Sequence, residues 1–429
     1  MIIISNGFSK FHLAPAAAEM DRSRLLSCFF TGAYPTAFVV RFLRTTGLER
    51  SKKFQRLIAR RETILESRVI AFWGAEALYI IGQWLMKNRW KKFERLGSWI
   101  NNQSMINYGR SAKRIIEDAR CMDNPIIYHY RAGFGHASLK RAKLKGMIRL
   151  CDHSIAHPAL VDWIIEHRGL LPAKDEDVKE ESGFWRMILE DIQKADAVLV
   201  NSEFVKQTFL NRGWDPRLVH VIYLGVDDAF FSAIPERKAQ DRSDEAPIRF
   251  TFAGSFEQRK GADALVTAIS LLRQRNVSMQ LDIFGTAPVQ ITAQYPRIVE
   301  DDRVHLHGLL SRTELAHRLS ETDVFVFPSL AEGSARVVFE ALACGCYVIT
   351  TPNSGSIVED GVHGRLIPPG DAVRLADAMQ EAIRLDRPHL RAVGLENANL
   401  IRSRYRQVHY GDKLEQLYSR LVNTTARVA

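Results

Sequence analysis

Short apolar runs alternate with stretches of helical periodicity along the chain, and the pattern occurs twice. Such runs are too short for buried helices. Bounded by turn residues, they read as strands buried on both faces. Strand–helix alternation is the mark of parallel sheets covered by helices. The first series places strands at Ile2–Ser5, Leu25–Phe30, Ile126–Tyr130, Met147–Cys151, Ala197–Val200 and Val219–Tyr223. The second places them at Ile248–Ala253, Gln280–Phe284, Val304–Leu306, Val324–Phe327 and Tyr347–Thr350, with helices near 261–275, 312–320, 335–344, 372–385 and 389–402. Gly225-Val226-Asp227 and the polar stretch Pro235–Pro247 separate the two series, as a junction and linker would. The expectation is an α/β chain of two doubly wound domains, 1–226 and 227–404, followed by an amphipathic helix within 405–429.

Composition narrows the class of partner. The 429 residues are 46% hydrophobic and 25% charged, which excludes wholesale disorder and a disulfide scaffold. The formal net charge is +10, but it is unevenly placed. Residues 1–150 carry 27 basic and 10 acidic residues, net +17; residues 151–429 carry 32 and 39, net −7. Different parts of the chain therefore meet different partners. The basic excess lies partly in a long helical region, roughly Arg50 to Arg120, with Trp73, Trp84, Trp90 and Trp99. Within it Val69–Met86 is apolar, yet it contains Glu76 and Gln83 and ends in Lys87-Asn88-Arg89. We read it as a packed or interfacial helix rather than a membrane span. Cys28, Cys121, Cys151, Cys344 and Cys346 are odd in number and have no zinc-ligand spacing, which suggests a reducing compartment. Met1 runs straight into the first strand, which does not read as a secretory leader.

Two strand ends carry chemistry. After Arg249–Ala253 comes Gly254-Ser255-Phe256-Glu257-Gln258-Arg259-Lys260-Gly261, then a helix. A glycine permits close approach, the helix start offers free N–H groups, and two cations follow: a diphosphate cradle, or a solvated basic turn. After Val324–Phe327 comes Pro328 to Ala341, with Glu332 before a helix start and Glu340 inside it. The two carboxylates could hold separate hydroxyls of one polyol, with N–H groups from Gly333, Ser334 and Ala335 between them. The plainer reading is an acidic helix start. The apolar run around Glu340 argues against simple solvation of that side chain.

Taken in order, these segments resemble the family-4 retaining glycosyltransferases, which have the GT-B fold. Glu332 and Glu340 resemble that family's Glu-x7-Glu motif, and Gly254 to Gly261 its diphosphate loop. Val304-His305-Leu306-His307-Gly308-Leu309-Leu310 resembles its nucleobase loop. Asp360-Gly361-Val362-His363-Gly364 with Pro368-Pro369-Gly370-Asp371 resembles its tail, and Asn201-Ser202 with Gly225-Val226-Asp227 the end of its first domain. The resemblance covers about residues 195–405 and is weak before that.

The resemblance implies two Rossmann-like domains facing across a cleft, with the last helix crossing back to the first. Lys260 would bind the donor diphosphate, Leu309 and its neighbours the base, and Glu340 the ribose. Glu332 and the turn Gly333–Arg336 would face the sugar and diphosphate. Ser255 stands where the family usually has arginine, and Arg259 is the candidate to compensate. Arg336 stands where an apolar residue is common. Gly7 would serve as the first domain's turn near the phosphates. The family places a histidine near the reacting carbon, and here His157 is favoured, before Pro158, with His153 the competitor and His129 a third. Asp175-Glu176-Asp177 has the form of another fold's metal motif, but it sits in a charge run and reads as surface.

The implied activity is transfer of a sugar from a UDP- or GDP-type nucleoside-diphosphate sugar to a hydroxyl acceptor, with retention and no metal. The setting would be bacterial exopolysaccharide, lipopolysaccharide or glycolipid assembly. A GT-B sugar-nucleotide epimerase or phosphorylase, or a non-catalytic sugar-nucleotide module, are the alternatives. No nucleic-acid recognition fold is visible. The basic, tryptophan-bearing first third suits an anionic membrane face, so the expected location is cytoplasmic and peripheral on the inner membrane, with a lipid-linked saccharide as acceptor. A soluble enzyme with a basic acceptor cleft is the plainer version.

Overall fold

The computed structural model describes residues 1–87, 91–117, 125–173, 183–235, 246–298 and 300–428, and builds two all-parallel sheets. The first has seven strands: β1 Ile2–Ser5, β2 Leu26–Thr31, β3 Val69–Ala71, β4 Ile127–Arg131, β5 Ile148–His153, β6 Ala197–Val200 and β7 Val219–Val221, in the order β3-β2-β1-β4-β5-β6-β7. The second has six: β8 Arg249–Ala253, β9 Gln280–Phe284, β10 Val304–Gly308, β11 Val324–Phe327, β12 Tyr347–Thr350 and β13 Gly364–Leu366, in the order β10-β9-β8-β11-β12-β13. The central strands β1, β2, β6, β11 and β12 are buried at every residue, which is why they read as continuous apolar runs. Strand order reverses beside β1 and beside β8, so crevices open at the carboxyl ends of those strands.

Every expected strand is present, and two edge strands are additional. β3 was hidden in the apolar stretch Val69–Met86. The expectation of one helix there is corrected: Val69–Ala71 pairs with β2, and the helix is Trp73–Met86. The supposed helical region from Arg50 is likewise split, into Lys52–Ile58, Trp73–Met86 and Lys91–Glu117. β13 has only three residues, too few to show a period. Trp90, Cys121 and Asp175-Glu176-Asp177 lie outside the described residues. Cys28, Cys151, Cys344 and Cys346 are buried and form no disulfide.

The last helix, Gln407–Val428, packs on the first sheet's layer. Tyr410, Leu414, Leu417 and Tyr418 share a core with Leu13, Ala17 and Met20. Gln407 Nε2 donates to Glu19 Oε1 at 3.1 Å. Gly411 makes this approach feasible, since a Cβ there would stand 2.9 Å from Glu19. At the other end of the cleft, the turns after β11 and β12 touch the first domain. Ser202 Oγ donates to the Gly333 carbonyl, and Asn353 Nδ2 donates to Gly169 O at 2.6 Å. Gly333 is required there: a Cβ would fall 1.7 Å from Ser154 O.

Candidate functional site

The crevice beside β8 is a cavity of about 380 Å³. Three strand ends feed it. β8 ends at Gly254, whose φ of +145° favours glycine, with Gly285 after β9 so close that a Cβ there would stand 2.5 Å from Gly254 O. Lys260 follows in a short turn. It is held there because Gly261, at φ +83°, lets the chain pass against Pro328, where a Cβ would be 2.0 Å from the carbonyl. Leu309 enters from the end of β10, 77% exposed and so open to a flat ligand.

The third wall is the start of the helix Arg336–Ala343. Its N-cap residue, Ala335, supplies no side-chain cap. Orphan N–H groups and the positive dipole end therefore face the cavity. The Ala335 N–H is already taken by Ser354 O at 2.9 Å, so the free donors lie at its neighbours. Ser334 lines the cavity, and its Oγ is buried with no hydrogen-bond partner among the described residues. A buried hydroxyl without a partner is costly, and a ligand oxygen at this position would satisfy it.

Glu340 lies further along that helix, 5% exposed. Burial pushes its carboxyl up from the ordinary range, and the nearby Arg312 and Arg336 pull it back in part. Arg312 Nη2 donates to Glu340 Oε1 at 2.7 Å, while its Nη1 pairs with Asp227 Oδ2 at 2.5 Å. Sequence reasoning missed Arg312. Only the fold brings the start of the 312–320 helix to Glu340. Glu332, Lys260 and Arg259 form a triad: Lys260 Nζ and Arg259 Nη1 both donate to Glu332 Oε1, at 2.9 and 2.8 Å.

The expected donor residues Ser255, Lys260, Leu309, Ser334, Ala335, Arg336 and Glu340 thus line one cavity, with Glu332. Arg259 is beside it, not in it. Its guanidinium is spent on Glu332, Glu257 and the Ala331 carbonyl. Gly333 is turned to the first domain, as described. Gly7 is corrected too. It is buried, its N–H donates to Tyr108 at 3.1 Å, and a Cβ would stand 2.6 Å from the Phe134 ring. Aromatic packing by itself calls for a glycine here.

The first domain has its own cavity, about 250 Å³, at the ends of β1, β4 and β5. Phe8, Lys10 and Phe11 enter from the loop after β1, Arg131 from β4, and Asp152 and His153 from β5. Arg131 stacks 4.0 Å over the Phe11 ring. A third cavity, about 410 Å³, joins the two domains: Lys10 lines it on one side, Arg312 and Arg336 on the other.

His153, not His157, reaches the first-domain cavity. The loop after β5 turns His157 into an apolar pocket, edge-on to Phe209 at 4.9 Å. Burial lowers its pKa to about 3, and burial lowers that of His153 to about 4, so both are neutral at pH 7. His129 is also removed from the site. Its Nδ1 meets Tyr418 Oη at 2.8 Å, pinning the last helix.

Comparison with known proteins places this geometry. Residues 247–384 match the family described as Glycosyl transferases group 1. The chain is 24% identical over 308 residues to a putative colanic acid biosynthesis glycosyltransferase of Salmonella typhimurium, covering 68% of this chain and 70% of that protein. It is 26% identical over 193 residues to the amylovoran biosynthesis glycosyltransferase of Erwinia amylovora, covering 42% of this chain but only 46% of that one. In fold it is similar to the sucrose-phosphate synthase of Thermosynechococcus elongatus, with TM-score 0.64 at 17% identity over 99% of both chains. It is also similar to an Anabaena protein solved with UDP and glucose, with TM-score 0.59 at 15% identity over 98% of this chain and 99% of that one.

Proposed function

We propose, on the premise that the chain belongs to the group 1 glycosyl transferases and has the GT-B fold, that it moves a sugar from a nucleoside-diphosphate sugar to a saccharide hydroxyl. One observation carries the reading. An uncapped helix start, an unpartnered buried hydroxyl at Ser334, Lys260 and the buried carboxylate Glu340 converge on one cavity at a topological switch point.

The base lies against Leu309 and Phe284, and the ribose hydroxyls donate to Glu340. The diphosphate takes Lys260, Ser334 Oγ and the helix N–H groups. A lysine ammonium has three protons, and Glu332 uses one, which leaves two for phosphate oxygens. These groups meet the charge that grows on the diphosphate as the C1–O bond breaks. In this reading the acceptor oxygen adds to C1 from the same face, and its proton passes to the departing phosphate oxygen. Configuration is then retained and no second carboxylate nucleophile is required. Lys260, Arg336 and the helix dipole supply positive charge without a metal. The acceptor enters from the first-domain cavity, which His153 lines. The relatives named for colanic acid and amylovoran biosynthesis support polysaccharide assembly as the setting, and the charge of residues 1–150 supports work at the inner membrane face.

A thermal-shift panel of nucleoside-diphosphate sugars tests the reading, because a bound donor stabilises by mass action. One donor should raise the melting temperature of the native chain and fail to do so for Lys260→Ala. No shift with any donor would overturn it. Analysis of the products separates transfer from epimerisation or phosphorolysis.

A further inference from the structure

We propose that the helical hairpin Trp73–Met86 and Lys91–Glu117 seats the first domain in the surface of an anionic bilayer, setting its cavity at the lipid–water boundary. The inference rests on the reading of that cavity as the acceptor's entry.

The hairpin is built to turn bulk outward. Its helices cross at Gly82 and Gly97, where a Cβ on either would stand 2.8 and 2.6 Å from the other's carbonyl oxygen. Backbone meets backbone there. Trp84 is 66% exposed and Trp99 60%. Trp73, Ala77, Ile80, Ile81 and Trp84 are exposed and recur at spacings of three and four, which puts them on one stripe. Soluble chains rarely leave such a patch uncovered.

Charge says what covers it. Residues 72–117 hold eight Lys and Arg against three Glu, and one of those, Glu76, is buried. Lys87, at the end of the stripe's helix, and Arg95, on the second helix, are exposed. Tryptophan rings with flanking cations match the headgroup zone of an anionic leaflet. A second copy fits worse, because a two-fold contact would set like-charged faces together. The occupant is a surface and not a bilayer interior: among the described residues no helix is long and apolar enough to cross one.

The hairpin is also wired to the cavity. Tyr79 from its first helix and Met105 from its second line that cavity. The Glu76 carboxylate accepts the N–H of Ser9 at 3.2 Å and of Ala33 at 2.6 Å, and pairs with Arg60 at 2.7 Å. Ser9 is itself a wall of the cavity. A membrane-seated hairpin therefore holds the loop that receives the acceptor.

The test is flotation of the full chain with vesicles of phosphatidylcholine alone or mixed with phosphatidylglycerol, read with quenching of tryptophan fluorescence by brominated lipid. The native chain should float with the anionic vesicles and be quenched. The double variant Ile81→Ser/Trp84→Ser should lose roughly tenfold or more in partitioning. Its thermal shift with the donor should be unchanged, which reports folding. Native chain that stays unbound, or a variant that floats as well, overturns the proposal. So does a dimer that the double variant dissociates, since a second copy then covers the face. Docking that fails while a donor still stabilises the chain condemns this inference alone. Donor stabilisation that fails condemns the function proposed above.

Discussion

Lys260 Nζ lies 2.9 Å from Glu332 Oε1, and this pair joins the turn after β8 to the turn after β11. The side chains are 17% and 13% exposed, so the pair is shielded enough to hold its geometry. Removing the lysine takes away charge-assisted bonds to phosphate, worth about 1.5–3 kcal/mol, and leaves Glu332 facing the diphosphate with Arg259 alone. Lys260→Ala should lower kcat/KM by about ten- to a hundredfold or more, and Lys260→Arg should restore part of it. Steady-state kinetics at saturating acceptor read both.

Ser334→Ala makes a prediction with opposite signs. Its hydroxyl is buried and has no partner among the described residues, so removing it relieves a cost and should leave the free protein as stable or more stable. The same change removes a donor to the ligand. Denaturant melts of the free chain should move to higher concentration or stay put, while donor affinity falls several-fold by calorimetry. A drop in both would mean the hydroxyl has a structural bond.

Arg312→Ala should destabilise the chain by about 1–3 kcal/mol, because it leaves the Glu340 carboxylate buried without its guanidinium. Glu340→Gln in the same chain should recover most of that loss but not donor binding, since a neutral amide replaces the carboxylate proposed to take the ribose hydroxyls. Urea titrations of the two single variants and the double one give the coupling directly.

The sequence made the sheets and the cavity at the ends of β8 and β11 legible, and for a physical reason. β8, β11 and β12 are buried nearly throughout, and the turns that follow them carry their chemistry in consecutive residues. That Lys260, Ser334 and Glu340 line one cavity could therefore be read from position alone. Arg312 could not, because its partner is 28 residues away and only tertiary packing joins them. The choice between His153 and His157 turned on which way one short loop points, and no periodicity reports that. β3 was lost for another reason. Its three residues sit one step from a helix of the same apolar character, so the strand period never had room to show.

The two histidines give a pH dependence whose sign can be worked out. Burial lowers His157 to about 3 and His153 to about 4, against an ordinary value near 6.5 in the unfolded chain. Between these limits the unfolded chain binds more protons than the folded one. Stability is thus complete above about pH 6.5 and falls as pH drops below it, by about 1.4 kcal/mol per pH unit for each group. Asp152 adds to the loss in stronger acid. Burial pushes its carboxyl up, but His12 and His129 outweigh this and hold it well below the usual range. His157→Gln should flatten the stability profile between pH 6.5 and 4 while costing some packing on Phe209 at pH 7. Because His157 lines neither the donor nor the first-domain cavity, its kcat at pH 7.5 should change far less than that of His153→Gln. Urea melts across that pH range and turnover at its upper end read the two effects separately, and a His157 variant as inactive as the His153 variant would return the catalytic role to His157.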